Sequence, residues 1–136
     1  MTHTFRRILP ELTELTRAFW TGGKDGQLRI TRCEDCLRFI HPPAPICPAC
    51  LSRQVSPVSV AGTGSVASFT INHQPWFPGL EVPYAVAIVE LDEQPGLRLT
   101  TNIIGQRLDE IAIGQRVQVV FEQNDDVWLP LFTPLG

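Results

Sequence analysis

The sequence predicts a mainly β protein, in which an N-terminal helix precedes a metal-binding ribbon and a five-stranded barrel of the OB type. Three observations support this fold class. Four cysteines stand in two C-x-x-C pairs between Cys33 and Cys50. Five later segments have the apolar pattern of strands, and one stripe near the N-terminus has the period of a helix. Several short strands with no helix among them favour a closed barrel, which leaves no unpaired edge.

The composition agrees with a small folded protein. The 136 residues are 43% hydrophobic and 18% charged, which allows a core to form and is unlike the composition of a disordered chain. No apolar run approaches the roughly 18 residues that a membrane span needs. The first segment, "MTHTFRRILPELTEL", lacks the uninterrupted apolar stretch of a secretory signal. We therefore expect a cytoplasmic protein that does not associate with membranes.

The charge is distributed unevenly along the chain. Residues 1–53 carry eight Lys/Arg and five Asp/Glu, a net charge of +3, whereas residues 54–136 carry three Arg and nine acids, a net charge of −6. Four arginines surround the cysteine pairs: Arg29, Arg32, Arg38 and Arg53. An acidic barrel is a poor electrostatic match for a polyphosphate strand, so the charge argues against nucleic acid as a partner.

An apolar stripe near the N-terminus predicts a helix over residues 10–20. Its members recur at spacings of four, three and four: Ile8, Leu12, Leu15 and Phe19. Pro10 falls in the first turn, where its missing N–H is harmless, and the glycine-rich "TGGKDG" that starts at Thr21 ends the helix. Phe19 and Trp20 then form an apolar tip, which docks on the protein's own core or inserts into a partner.

Strand signals precede the cysteines and fill the C-terminal part. The segment "QLRITRC", which ends at Cys33, predicts a strand that leads into the first pair. The predicted barrel strands span residues 62–73, 83–91, 97–104, 114–123 and 127–132. These signals divide the chain into an N-terminal helical segment (1–26), a zinc ribbon (27–54) and an OB-fold domain (55–136).

The second predicted barrel strand is apolar on both faces. Tyr84, Val86 and Ile88 occupy one face, and the alanines and valine between and after them occupy the other. An antiparallel barrel strand normally alternates because one face meets water. The outer face is therefore covered by the ribbon or the N-terminal helix, or it is meant for a protein partner or an acyl chain.

The two cysteine pairs predict a structural metal site. The candidate ligands, with ten residues between the pairs, are Cys33, Cys36, Cys47 and Cys50. Thiolates three residues apart on a tight turn reach one ion, and two such turns complete the tetrahedral sulfur site that zinc prefers. Four sulfur ligands leave no position for a reactive water, so the metal is expected to stabilise the fold. Iron accepts the same ligands and stays an alternative.

The connection between the pairs, "HPPAP", begins at His41 and is stiffened by its prolines. His41 is a possible competing ligand, although four cysteines already complete the site. A disulfide is disfavoured in the cytoplasm, and a redox C-x-x-C motif occurs once, at a helix N-terminus. The spacing therefore favours metal over redox chemistry.

Several segments in order carry a family resemblance: "AFWTGGKDGQLRITRCEDC", "HPPAPICPAC", "GTGSVASFTINHQP", "PYAVAIVELDE" and "IGQRVQVVFE". From about Phe19 to Phe132 the chain resembles the rubredoxin-like zinc ribbons fused to an OB-fold, once catalogued as a domain of unknown function. The resemblance places the four cysteines at the family's metal ligands. It implies a non-catalytic subunit that accompanies thiolase-like enzymes of acyl-CoA metabolism (thiolases, hydroxymethylglutaryl-CoA synthases and lipid-transfer-type aldolases), stabilises them and helps form their acyl-CoA site.

The chain departs from the family's pattern at two places. Leu37 and Leu51 stand where the family often has glycine after a C-x-x-C pair, which puts the turn geometry in question. Ala44 stands where the family often has a basic residue after the paired prolines. If that basic residue contacts a CoA phosphate, this chain uses another cation, such as Arg38 or Arg53.

A proline-rich loop between the first two barrel strands carries Trp76 and Phe77. Loops at this position of an OB-fold lie near the usual ligand face, and rigid aromatics are typical anchors of interfaces. They alternatively cap the end of the barrel. The residues predicted to contact a partner or an acyl-CoA are Phe19, Trp20, Arg38, Arg53, Trp76, Phe77 and Tyr84.

No catalytic constellation accompanies these motifs. The candidate groups are scattered along the chain: His3, His41, Ser65, Ser68, His73, Asp92 and Glu93. Neither serine has the context of a nucleophile elbow, and the adjacent carboxylates belong to a turn. We therefore predict that the chain is not an enzyme. The alternatives are a binding module for single-stranded nucleic acid and a CoA-ester hydrolase that uses Asp92.

Overall fold

A computed structural model describes residues 7–135 and confirms the mainly β fold. A short helix, α1 (Arg17–Thr21), is followed by a 3₁₀ turn (Gly22–Asp25), and a second 3₁₀ turn (Leu108–Glu110) comes later. Within the described range the strands are β1 (Leu28–Cys33), β2 (Phe39–Ile40), β3 (Val55–Val60), β4 (Thr63–Asn72), β5 (Tyr84–Leu91), β6 (Arg98–Ile103), β7 (Arg116–Asn124) and β8 (Val127–Pro134). No helix among these residues is long and apolar enough to span a membrane.

The predicted helix over residues 10–20 is wrong in its first half. Residues 7–13 have no regular structure, and the helix begins at Arg17. Thr13 and Thr16 exchange reciprocal hydrogen bonds, in which each backbone N–H donates to the other's Oγ1 at 3.1 and 3.2 Å. The Arg17 N–H also donates to the Thr13 carbonyl at 2.9 Å, so the chain makes one turn at residues 13–17 before the helix. Of the two stripe residues before it, Ile8 is 81% exposed and Leu12 is half-buried.

The ribbon is an antiparallel sheet in the order β2-β1-β3. β1 agrees with the prediction from "QLRITRC", whereas β3 was not predicted because Pro57 weakens its alternating pattern. β3 pairs with β1 along its whole length, from Leu28 opposite Val60 to Cys33 opposite Val55. It is an edge strand of the sheet, the position where a proline is tolerated. The division of domains at residue 54 stays a prediction.

The five predicted barrel strands are all present and close in the order β4-β5-β6-β8-β7. The closing contact is a short parallel pairing of Ile103 on β6 with Phe132 on β8. Gly64 on β4 is required where β4 and β5 approach each other, because a Cβ there would collide with the carbonyl oxygen of Glu90. The alternation of β4 is interrupted by a register shift between Val66 and Ser68, which bends the strand around the barrel.

One core joins the helix, the ribbon and the barrel. Phe132 and Val66 of the barrel are buried together with Leu28 and Ile30 of the ribbon strand β1. Phe19 of α1 is 8% exposed and belongs to the same cluster, so this half of the predicted apolar tip docks on the protein's own core. Because the three parts share buried side chains, we expect the ribbon to be held in one orientation on the barrel.

The turn between β5 and β6 adds polar contacts between the ribbon and the barrel. The Gln94 side chain accepts a hydrogen bond from the Phe39 N–H at 2.9 Å and donates one to the Phe39 carbonyl at 3.2 Å. The Glu93 carboxylate accepts from the Ala61 N–H at 2.9 Å. These bonds satisfy backbone groups at the open edge of β2 and in the link between β3 and β4. The β5–β6 turn therefore holds the ribbon at two places, Phe39 and Ala61.

Candidate metal centre and interaction groove

The four cysteine sulfurs form one cluster in which all ligand atoms lie within 4.8 Å of one another. Cys33 ends β1, and Cys36 follows in the turn toward β2. The second pair, Cys47 and Cys50, lies in the turn before β3. The Sγ atoms of Cys33 and Cys50 are 3.5 Å apart, and those of Cys36 and Cys47 are 3.6 Å apart. Zn–S bonds of about 2.3 Å in a tetrahedron place sulfurs about 3.8 Å apart, so the cluster fits the ion.

Each C-x-x-C pair is held in a tight turn by its backbone. The Leu37 N–H donates to the Cys33 carbonyl at 3.0 Å, and the Leu51 N–H donates to the Cys47 carbonyl at 2.9 Å. Both leucines have left-handed backbone conformations, with φ of 66° and 65°. The departure from glycine therefore leaves the turn geometry intact.

The backbone also determines how readily each thiol gives up its proton. The hydrogen bond from the Cys36 N–H lowers the pKa of Cys33 to about 6, and the bond from the Cys50 N–H lowers the pKa of Cys47. The Ser52 N–H favours the Cys50 thiolate, but the Cys33 sulfur and the partial loss of hydration beside it raise the pKa of Cys50 to about 12. A bound divalent metal would deprotonate all four thiols.

The site is closed on the inside and has a complete set of ligands. Cys33 and Cys47 are 0% exposed and pack with Ile40, while Cys36 and Cys50 face the surface. The His41 ring does not join the cluster, because it lies against Phe19 with the ring centroids 4.8 Å apart. Burial lowers the pKa of His41, which keeps its ring neutral. The four cysteines support a structural zinc ion.

An apolar groove of about 810 Å³ lies on the outside of the barrel. It brings together three of the predicted contact residues, Trp20, Phe77 and Tyr84. The outer face of β5 contributes Val86 as well, so the apolar face noted in the sequence opens into this groove. The chain covers that face only in part, since Tyr84 and Val86 remain half-buried.

One wall of the groove is the irregular segment 7–10, which is fixed to the barrel by Arg7. The Arg7 guanidinium contacts the Glu122 carboxylate at 2.6 Å and donates to the Asn102 side-chain oxygen at 2.9 Å. Asn102 in turn donates to the Ala85 carbonyl at 2.8 Å. This wall was not predicted from the sequence, because Ile8 was read as the first member of an apolar stripe with a helical period. Further lining residues that were not predicted are Ile104, Gln106, Leu108 and Leu129.

The other predicted contact residues lie outside the groove. Phe19 is buried in the core, and Trp76 is 72% exposed on its loop, where its Nε1–H donates to the Asn72 side chain at 3.2 Å. Arg38 and Arg53 are exposed on the ribbon, next to the cysteine turns. Trp76 does not cap the barrel end, which was one of the two alternatives for this loop.

The scattered polar groups form no catalytic arrangement within the described range, and His3 lies outside it. Asp92 is paired with the Arg116 guanidinium at 2.6 Å, and the Thr63 hydroxyl donates to it at 2.7 Å. The Arg116 and Thr63 bonds lower the pKa of Asp92 to about 2. Ser65 accepts a bond from the same guanidinium at 3.1 Å. Both groups thus belong to an ion-pair network that ties β4 to the β5–β6 turn.

Family comparisons agree with both halves of this fold. The model of the rubredoxin-like zinc ribbon domain of ChsH2 matches residues 20–56, and that of the C-terminal OB-fold domain of ChsH2 matches residues 57–122. A DUF35 domain-containing scaffold protein of Methanocaldococcus jannaschii is 32% identical over 101 residues, which are 70% of this chain and 70% of the relative. The chain belongs to the ChsH2/DUF35 family.

Other members of the ChsH2/DUF35 family carry names of enzyme assemblies. A chain in the solved structure of an Ltp2-ChsH2(DUF35) aldolase is 38% identical, with a TM-score of 0.83, and the match covers 93% of this chain and 98% of that one. A probable enoyl-CoA hydratase alpha subunit of Thermomonospora curvata is 44% identical over 119 residues, 86% of this chain. The present chain spans 37% of the length of that relative. The family thus includes proteins named as scaffolds and proteins named as enzyme subunits.

Proposed function

We propose that this chain is a non-catalytic accessory subunit that binds a thiolase-like enzyme of acyl-CoA metabolism and helps form its acyl-CoA site. The observation that carries the proposal is the apolar groove of about 810 Å³ on a barrel without a catalytic arrangement among its described residues. The names of the relatives support it, since one is a scaffold protein and another belongs to an Ltp2-ChsH2(DUF35) aldolase. The resemblance allows a thiolase, a hydroxymethylglutaryl-CoA synthase or a lipid-transfer-type aldolase as the partner, and we propose the aldolase, because a 38% identical relative is a chain of an Ltp2-ChsH2(DUF35) aldolase.

The groove has the chemistry of a docking site for an apolar segment of the enzyme or for an acyl chain. Trp20, Phe77 and Tyr84 offer large apolar surfaces that water covers in the isolated chain. Rigid aromatics in a concave site are the usual anchors of protein interfaces and of ligand pockets. Transfer of such surface out of water contributes roughly 25 cal/mol for each Å² of apolar area.

The ribbon supplies the cations that the other end of a CoA ester requires. Arg38 and Arg53 are exposed and form no ion pair within residues 7–135. Arginine is well suited to phosphate because its planar guanidinium donates two parallel hydrogen bonds. In this proposal the two side chains bind the phosphates at the nucleotide end of the acyl-CoA. The position of the family's basic residue cannot serve here, because the side chain of Ala44 carries no charge and no hydrogen-bond donor.

A direct test is to express this chain together with the thiolase-like aldolase of its own host and to measure the mass of the purified species by light scattering. We expect a complex that contains both chains and that stays intact at high salt, because the groove is apolar. Two separate species would contradict the proposal. Among the described residues nothing favours the nucleic-acid alternative, since the barrel that would hold the strand belongs to the acidic part of the chain.

A further inference from the structure

The two leucines after the cysteine pairs combine an unfavourable backbone with an exposed side chain. Leu37 and Leu51 have φ of 66° and 65°, a region that bulky side chains rarely adopt because Cβ crowds the backbone. Their side chains are 58% and 73% exposed, so neither stabilises the core. The C-x-x-C turns account for the left-handed backbone at both positions, but they do not require a leucine side chain there. A single exposed leucine is ordinary, whereas two at equivalent strained positions lose backbone stability without adding to the core.

The two leucines are presented by one rigid end of the ribbon. Both follow cysteines of the same sulfur cluster. The turns are also tied to each other directly, since the Glu34 N–H donates to the Gln54 carbonyl at 2.8 Å and the Ser52 hydroxyl donates to the Asp35 carboxylate. A surface that is already ordered loses little entropy on binding. We call Leu37 and Leu51 together the ribbon tip.

We propose that the ribbon tip is a docking element that seats in an apolar recess of the partner enzyme, beside the anionic end of its CoA ester. The inference rests on the proposed function and adds a second contact to the groove. Its apolar part comes from the leucines, and its cations are Arg38 and Arg53, which follow them by one and two residues. The exposed acids of the same end, Glu34 and Asp35, stand on the other side of Leu37 in the sequence, and the Asp35 carboxylate accepts the Ser52 hydroxyl. Both cations lack an ion pair within the described part of the chain, and the phosphates of a CoA ester are a complementary charge.

The strain provides the test, because glycine at these positions relieves it while removing the side chains. We compare zinc-loaded wild type with Leu37→Gly/Leu51→Gly and with Leu37→Asn/Leu51→Asn, since asparagine is polar and tolerates a left-handed backbone. Affinity for the host's thiolase-like aldolase is measured by calorimetry. We expect Kd to rise about tenfold or more in both variants, as for loss of an interface anchor, while the unfolding temperature is not lower than that of wild type.

Two control variants test whether relief of backbone strain, or loss of any exposed apolar side chain, is enough to weaken binding. Asp125→Gly relieves the other described non-glycine residue with positive φ (55°), and Ile113→Asn removes a leucine-sized side chain that is 71% exposed on the barrel. Both should bind like wild type. If the tip variants bind within twofold of wild type, the ribbon tip is not a docking element, although the proposed function stands. If wild type itself forms no complex with the aldolase, both proposals fall together.

Discussion

Removing the metal is expected to unfold the ribbon and to lower the unfolding temperature of the whole chain. Among residues 7–135 the buried cluster around the sulfurs consists of Cys33, Ile40 and Cys47, with Ala44 and Val55 packed against it, which is too small to hold the two turns without the ion. Zinc contributes about 10–16 kcal/mol to comparable small modules. The barrel is affected too, because Leu28 and Ile30 of the ribbon strand are part of its core.

The measurement is thermal unfolding by circular dichroism with and without a strong chelator, together with the metal content of the purified chain. We expect one zinc ion per chain in the wild type and none in Cys33→Ser, which should unfold like the chelated protein. His73→Ala is a matched control, because this exposed histidine lies outside the sulfur cluster. A metal-free chain with an unchanged unfolding curve would contradict the structural role, and iron in place of zinc would correct the ion.

The second large effect is expected in the groove. Phe77→Ala/Tyr84→Ala removes two aromatic side chains from its lining. Truncation of an interface anchor costs about 2 kcal/mol or more, so we expect at least a ~30-fold loss of affinity for the aldolase. The isolated chain should unfold as the wild type does within a few degrees, since both side chains are only half-buried.

The matched control is Ile88→Ala on the same outer face of β5. Its side chain is 36% exposed and does not line the groove, so its removal should leave Kd nearly unchanged. Binding by calorimetry distinguishes the two variants. Equal losses of affinity in both variants would show that truncation anywhere on this face of β5 weakens binding. Unchanged affinity in both would place the interface outside the groove.

The metal centre and the barrel could be predicted from the sequence because their signals are local. Cysteines three residues apart can reach one ion wherever the turn is placed. Apolar residues at every second position, such as Phe69 and Ile71 of β4 after its register shift, indicate the face that packs on the core. β3 was not predicted because Pro57 is acceptable only at a sheet edge. Whether a strand lies at an edge depends on the assembled sheet and cannot be read from the segment itself.

The groove could not be predicted because it depends on contacts between distant parts of the chain. Residues 7–10 form one wall, which Arg7 joins to the barrel by reaching Glu122 and Asn102, about a hundred positions away in the sequence. Ile8 and Leu12 fit a helical stripe in the sequence, but the helix begins only at Arg17, after the Thr13–Thr16 hydrogen bonds. Trp20, Phe77 and Tyr84 were recognised one by one as aromatic, but their meeting in one groove is a property of the fold.

The most direct test of the central claim compares acyl-CoA turnover by this chain alone, by the host's thiolase-like aldolase alone and by the two together. We predict no turnover by the chain alone, and a higher kcat/KM for the mixture than for the aldolase alone, because an accessory subunit completes the acyl-CoA site without contributing catalytic groups. Turnover by the isolated chain, or an aldolase whose kcat/KM is the same with and without it, would contradict this account.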